Sequence, residues 1–135
     1  MISQIETNAA RINELQQRIH TTFGPRDESP QTLQEWKDAC ETFHRSYNLL
    51  AFPGGYAEGL EKIKSGNTDT ISLALDYLEH TPYCFRSQYV ATALHRALNK
   101  ADLSESAALR FKKWKENKKS RSRTNGYRQR GLRSP

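Results

Sequence analysis

Residues 30–51, PQTLQEWKDACETFHRSYNLLA, decide the fold, because they carry the most regular apolar pattern in the chain. Apolar side chains recur here at alternating intervals of three and four residues, which places them on one face of an α-helix. They are Leu33, Trp36, Cys40, Phe43, Tyr47 and Leu50. Ser29 can cap this helix with Pro30 in its first turn, and Thr32 with Glu35 is an alternative capping-box pair. The pattern predicts a helix over residues 30–51.

The segment before it has a second apolar stripe, which predicts a helix over about residues 2–21. The stripe consists of Ile2, Ile5, Ala9, Ile12, Leu15 and Ile19. Phe23-Gly24-Pro25 ends this helix, and a loop of roughly eight residues then leads to the next. Two striped helices with so short a connection most simply form an antiparallel hairpin. We expect the stripe to be buried within one chain, which is then a monomer or a weak dimer.

Shorter helical patterns follow the hairpin. The break at residues 51–55 precedes a short helix that contains Tyr56 and Ile63, and further helices are predicted over about residues 68–79 and 83–100. Asp102 or Ser104 can cap a last helix. The sequence therefore predicts an all-α fold, a small bundle of five or six helices, with a short alpha-solenoid as the alternative architecture.

The spacing of apolar residues also predicts which side chains form the core. We expect one helical domain over residues 1–117 and a flexible basic tail over residues 118–135, which has almost nothing to bury. The residues expected to be buried in the domain are Leu33, Trp36, Phe43, Tyr47, Leu50, Leu75, Leu78, Phe85, Tyr89 and Leu94.

Several functional classes find no support in the sequence. No apolar run approaches the roughly 18 to 20 residues of a membrane-spanning helix, and the N-terminus lacks the layout of a secretory signal, so we expect a cytoplasmic protein without membrane contact. Cys40 and Cys84 lack the spacing of a zinc or redox site and are expected to be free thiols. The four histidines show no metal-binding spacing. We therefore expect neither a metal nor another cofactor.

Charge is distributed very unevenly along the chain. Residues 1–103 contain ten Lys and Arg against thirteen Asp and Glu, whereas residues 104–135 contain eleven against two. Basic side chains interspersed with glycine and tyrosine are typical of segments that neutralise phosphates and stack on bases. The predicted nucleic-acid contacts are Lys112, Lys113, Lys115, Lys118, Lys119, Arg121, Arg123, Tyr127, Arg128, Arg130 and Arg133. A tail that only improves solubility is the plainer alternative, and an acidic protein surface or a membrane could also receive this charge.

Residues 83–89, YCFRSQY, combine a thiol, a guanidinium, a hydroxyl, an amide and three aromatic rings after a proline turn. A cysteine nucleophile needs a nearby base or positive charge to lower its pKa, and His80 or Arg86 could supply one to Cys84. No third residue that could orient the base lies at a recognisable spacing from Cys84 and His80. The alternative is a helix start whose aromatic residues fill the core. The candidate cluster consists of His80, Tyr83, Cys84, Arg86 and Tyr89.

These patterns lead to three hypotheses about function. The first is a non-catalytic binding or accessory protein that contacts DNA or RNA through its basic segment and a protein partner through its helical body. The second is a protein-directed inhibitor, immunity or antidote-type factor. The third is a small cysteine-dependent enzyme. A concave pocket that contains Cys84 and a histidine within hydrogen-bond reach would favour the enzyme, and burial of the two in separate places would favour binding.

Overall fold

The structure is a computed structural model that describes residues 2–118, and all regular secondary structure within that range is helical. The elements are α1 (Ile2–Phe23), a 3-10 turn (Gly24–Asp27), α2 (Pro30–Ala51), α3 (Tyr56–Lys64), α4 (Thr68–His80) and α5 (Ser87–Lys100). Residues 105–118, called here the C-terminal helix, are also helical. The prediction of an all-α fold is confirmed.

The chain divides into two compact units. The first is Met1–Asp102 and contains α1 to α5, and the second is Leu103–Pro135 and contains the C-terminal helix. No helix within residues 2–118 is long and apolar enough to cross a membrane.

Helix α2 has the bounds that its apolar pattern predicts. Its N-terminus is closed by a reciprocal pair of hydrogen bonds, in which the Thr32 amide donates to Ser29 Oγ at 3.1 Å and the Ser29 amide donates to Thr32 Oγ1 at 2.9 Å. The capping box therefore consists of Ser29 and Thr32. The alternative pair of Thr32 with Glu35 is not formed. Pro30 occupies the first turn, where no helical hydrogen bond to its nitrogen is required.

Helices α1 and α2 form the predicted antiparallel hairpin. Near its turn, the rings of Phe23 and Trp36 meet edge to face with centroids 6.0 Å apart. Further from the turn, Ile12 and Leu15 of α1 form a buried cluster with Phe43 of α2. The stripe of α1 is thus covered within the chain.

Helices α3, α4 and α5 pack on one another, and α4 also contacts α1. The Phe52 side chain, which follows the end of α2, is fully buried, and its ring lies 6.1 Å from that of Tyr77. Gly59 allows this packing, because a Cβ atom at this position would lie 2.7 Å from Phe52 Cδ2. The buried face of α5 consists of Val90, Leu94, Ala97 and Leu98.

The prediction for the start of α5 and for Tyr89 was wrong. The helix begins at Ser87 and not at residue 83, and the Tyr89 side chain is 68% exposed. The sequence contains two parallel apolar rows here, and only the row through Val90 and Leu94 faces the core. Tyr89 precedes Val90 by one residue, which is a rotation of about 100° around the helix.

The remaining core predictions divide by depth. Phe43, Leu75, Leu78 and Leu94 are buried, as predicted. Those that are only half-buried are Leu33, Trp36, Tyr47, Leu50 and Phe85.

Candidate ligand groove and basic helix

The segment between α4 and α5 is held against the hairpin by two hydrogen bonds to its backbone. Asn13 Nδ2 of α1 donates to the Tyr83 carbonyl oxygen at 3.0 Å, and the Tyr47 hydroxyl of α2 donates to the Phe85 carbonyl oxygen at 3.0 Å. Both α1 and α2 therefore fix the position of this segment. The Tyr83 side chain itself is 92% exposed.

Phe85 anchors the segment through its ring as well. Its centroid lies 5.4 Å from that of Phe43 and 6.2 Å from that of Tyr47, in edge-to-face arrangements, and Phe43 stacks on Tyr47 at 5.5 Å. Burial, with a smaller contribution from the neighbouring Cys84, raises the pKa of Tyr47 to about 12, and the positive charge of Arg86 opposes the shift. The Tyr47 hydroxyl therefore remains a hydrogen-bond donor throughout the physiological pH range.

Arg86 follows this anchor directly and occupies the N-cap position of α5. Its backbone is left-handed, with φ 60° and ψ 21°, a conformation that costs free energy for any residue other than glycine. Its guanidinium carbon lies 5.2 Å from the centroid of the Phe85 ring. Within residues 2–118 no carboxylate forms an ion pair with Arg86.

Arg86 lines an open groove of about 540 Å³ between α1, α2, the start of α3 and the segment before α5. This volume falls within the range of roughly 300 to 1,000 Å³ that is typical of small-molecule sites. The side chains around the groove, which we call the ligand groove, are Gln16, Ile19, His20, Cys40, Phe43, His44, Tyr47, Asn48, Tyr56, Phe85 and Arg86.

The electrostatic character of the ligand groove differs from that of the surrounding unit. No aspartate or glutamate lines it, while Arg86, His20 and His44 do. Residues 1–103 as a whole contain more acidic than basic side chains. The groove therefore presents positive or neutral groups on a unit whose net charge is negative, and this arrangement favours an anion.

The structure does not bring the predicted cluster together at this groove. Only Arg86 lines it, whereas His80, Tyr83, Cys84 and Tyr89 do not. His80 Nε2 lies 3.0 Å from Glu6 Oε1. Burial raises the pKa of the Cys84 thiol, an effect that a hydrogen bond with Ser87 only partly offsets. This is the reverse of the shift that activates a cysteine nucleophile.

Sequence reasoning assigned only Arg86 of the lining residues to a candidate site, and it missed the titratable side chains His20, Cys40 and His44 among the others. Cys40 and His44 are four residues apart and therefore share one side of α2. His20 lies near the end of α1, and the hairpin brings it to the same groove. The spacing on α2 could have been recognised in the sequence, but the position of His20 depends on how the two helices pack. Within residues 2–118 no group of three His, Cys, Asp or Glu side chains could hold a metal ion.

The C-terminal helix carries the described part of the basic segment. The Ala107 amide donates to Ser104 Oγ at 3.2 Å, which confirms Ser104 as a cap. Phe111 and Trp114 stack with centroids 6.0 Å apart, Lys115 Nζ lies 4.4 Å from the Phe111 ring, and Lys118 Nζ lies 5.0 Å from the Trp114 ring.

Four lysines of this helix were predicted to bind nucleic acid. Lys112, Lys113 and Lys118 are exposed, and Lys115 is half-buried. The other predicted contacts lie outside the described residues: Lys119, Arg121, Arg123, Tyr127, Arg128, Arg130 and Arg133.

Comparisons of the chain with protein-family models, with curated proteins and with solved structures found no match.

Proposed function

We propose that this chain is a non-catalytic binding protein that contacts nucleic acid through the basic residues of the C-terminal helix and of the segment that follows it. The concentration of positive charge in residues 104–135, eleven Lys and Arg against two acidic residues, is the observation that carries the proposal. Nucleic-acid affinity depends on such charge, because each phosphate that is neutralised releases condensed counterions. Residues 1–103 have an acidic balance and offer no comparable source of affinity.

The arrangement of the C-terminal helix supports this proposal. Lys112 and Lys113 are adjacent and exposed, so both ammonium groups are available to phosphates. The half-exposed Trp114 is stacked on Phe111 and approached by Lys118, and a ring ordered in this way is suited to stacking against a base.

The buried position of the Cys84 thiol also favours a binding function over a cysteine-dependent enzyme. A cysteine nucleophile reacts as the thiolate, whereas burial of Cys84 favours the neutral thiol. His80, the proposed base, has its Nε2 next to a carboxylate oxygen of Glu6. The pairing of Cys84 with His80 that the enzyme hypothesis requires is therefore not favoured by the contacts of either residue.

Fluorescence anisotropy with labelled single-stranded RNA, single-stranded DNA and duplex DNA tests the proposal. We expect the full chain to bind at least one of these, and deletion of residues 118–135 to weaken binding sharply while circular dichroism shows the helical content of the remainder retained. Equal binding by the truncated protein would eliminate the basic tail as the contact. Absence of binding to every probe would favour the protein-directed inhibitor or antidote hypothesis instead.

A further inference from the structure

The ligand groove in the first unit combines three kinds of group that one small ligand could contact together. Aromatic rings form much of its lining, namely Phe43, Tyr47, Tyr56 and Phe85. Cationic or neutral nitrogen groups stand at Arg86, His20 and His44, and the carboxamide of Gln16 adds a donor and an acceptor. Pockets of this type, apolar with a few convergent polar groups, are the usual sites of small-molecule binding.

The polar groups of the lining are largely free to bind a ligand. Within residues 2–118 no hydrogen bond or ion pair engages the side chains of Gln16, His20, His44 or Arg86. Asn48 differs, because its Nδ2 donates to Glu58 Oε2 and its Oδ1 accepts from the Ala57 amide, both at 3.0 Å. The Asn48 side chain is therefore already engaged, whereas Gln16, His20, His44 and Arg86 are available to a ligand.

The backbone at Arg86 is unfavourable for an arginine, since glycine would adopt φ 60° without the same cost. The Tyr47–Phe85 hydrogen bond and the ring contacts of Phe85 hold this conformation in place. A guanidinium held beside an aromatic wall without a carboxylate partner can pair with an anion while the ring of the same ligand lies against the wall.

We propose that the ligand groove binds a nucleotide, with its phosphate on Arg86 and its base among the aromatic side chains. A nucleotide combines an anion, a flat ring and an edge of donors and acceptors, and the lining offers a counterpart to each. No acidic residue is among the lining residues, and the nearby Glu58 carboxylate is bound by Asn48, so a phosphate on Arg86 meets no carboxylate in the lining itself. The nucleotide could be free or part of a single strand, and the two sources share this chemistry.

Titration of the full chain with adenosine 5′-monophosphate, followed by ¹H–¹⁵N NMR, tests the proposal. We expect saturable shifts of the Phe85, Arg86, His44 and Tyr56 amides. Adenosine and inorganic phosphate should each bind at least tenfold more weakly, because adenosine lacks the phosphate and inorganic phosphate lacks the base. A single-stranded oligoadenylate that moves the same amides would identify a strand as a source, and movement by the mononucleotide alone would identify the free nucleotide.

The decisive variant is Arg86→Gly, which removes the guanidinium but suits the left-handed backbone. We expect it to weaken binding of the mononucleotide at least tenfold with no fall in the melting midpoint. Arg96→Gln changes an exposed arginine of the same helix that does not line the groove and should leave binding unchanged.

Equal binding by adenosine, an unaffected Arg86→Gly variant, or shifts confined to residues 105–118 would each overturn the proposal. Its failure is distinguishable from failure of the proposed function. Substitution of Lys112 and Lys113 by glutamine should weaken oligonucleotide binding and leave mononucleotide binding at the groove unchanged.

Discussion

The Tyr47 hydroxyl donates a 3.0 Å hydrogen bond to the carbonyl oxygen of Phe85, a residue 38 positions away in the chain. This bond ties α2 to the segment before α5, and it places the Phe85 ring against Phe43 with Arg86 immediately after it. Helix α2, which has the most regular apolar pattern in the sequence, thus helps to position Arg86, whose left-handed backbone stands beside the ligand groove.

Replacement of Tyr47 by Phe should therefore lower the free energy of unfolding, by about 0.5 to 1.5 kcal/mol for the lost hydrogen bond. Tyr77→Phe is the matched control. The Tyr77 hydroxyl is buried and has no hydrogen-bond partner among the described residues, so its removal should leave stability unchanged or raise it. Urea denaturation measures both. A Tyr77→Phe variant that loses as much stability as Tyr47→Phe would contradict the assigned roles.

Alkaline pH should destabilise the protein through the same two tyrosines. Burial raises the pKa of Tyr47 to about 12 and also raises that of Tyr77, whereas a tyrosine in an unfolded chain ionises near pH 10. Between these values the folded state holds more protons than the unfolded state. The stabilisation is therefore complete below about pH 10 and is lost as the pH rises through about 12.

Urea midpoints measured from pH 9 to 12 test this expectation, with the tyrosine absorbance at high pH as an independent titration. The double variant Tyr47→Phe, Tyr77→Phe should lose less stability over this range than the natural chain. An equal loss in both proteins would assign the alkaline transition to other groups.

Gly59→Ala should destabilise the protein even though alanine is the better helix former. The added Cβ would lie 2.7 Å from Cδ2 and 2.9 Å from Cε2 of the buried Phe52 ring. We expect a net loss of about 1 to 3 kcal/mol from overpacking. Gly24→Ala is the control, because nothing lies within 4 Å of a Cβ at that position. Thermal melting of the two variants side by side decides the matter, and a Gly59→Ala protein that melts at or above the natural midpoint would refute the close packing.

The thiol of Cys84 should be poorly reactive in the folded protein. In a Cys40→Ala background, alkylation of Cys84 by iodoacetamide at pH 7.5 should proceed much more slowly in the native chain than in 8 M urea, because burial disfavours the thiolate. Mass spectrometry follows the reaction. A native rate that equals or exceeds the rate in urea would revive the cysteine-enzyme hypothesis.

Local patterns in the sequence were enough to predict the bounds of α2, since the Ser29 cap and the apolar stripe act within a few residues, but they placed the start of α5 four residues too early. The burial of individual side chains was harder to predict from the sequence. Phe52 lies in what reads as a turn, yet it is fully buried because α3 and α4 close over it. Tyr89 reads as part of a buried row and is exposed, because only one of two rows can face the neighbouring helices.

The same distinction applies to the candidate site. Arg86 was identified from its chemically dense surroundings, and its neighbours His80, Cys84 and Tyr89 were grouped with it because they are close in sequence. The groove instead gathers His20, Cys40 and His44 from the hairpin. Proximity in sequence cannot reveal such a set, since its members meet only through the packing of α1 against α2.

The central claim is that basic residues from position 112 onward contact nucleic acid, and the salt dependence of binding tests it most directly. The triple variant Lys112→Gln, Lys113→Gln, Lys118→Gln removes three exposed positive charges from the C-terminal helix. Its control is Lys37→Gln, Lys62→Gln, Lys100→Gln, which removes the same charge from exposed positions of the first unit.

For the natural chain, the slope of log affinity against log salt should be about 0.7 to 0.9 per phosphate contact, or about 7 to 9 if the ten Lys and Arg from position 112 onward all meet phosphates. The helix variant should lower that slope by about 2, and the control should leave it within experimental error. A flat salt response of the natural chain, or an equal effect of the two triple variants, would contradict the account.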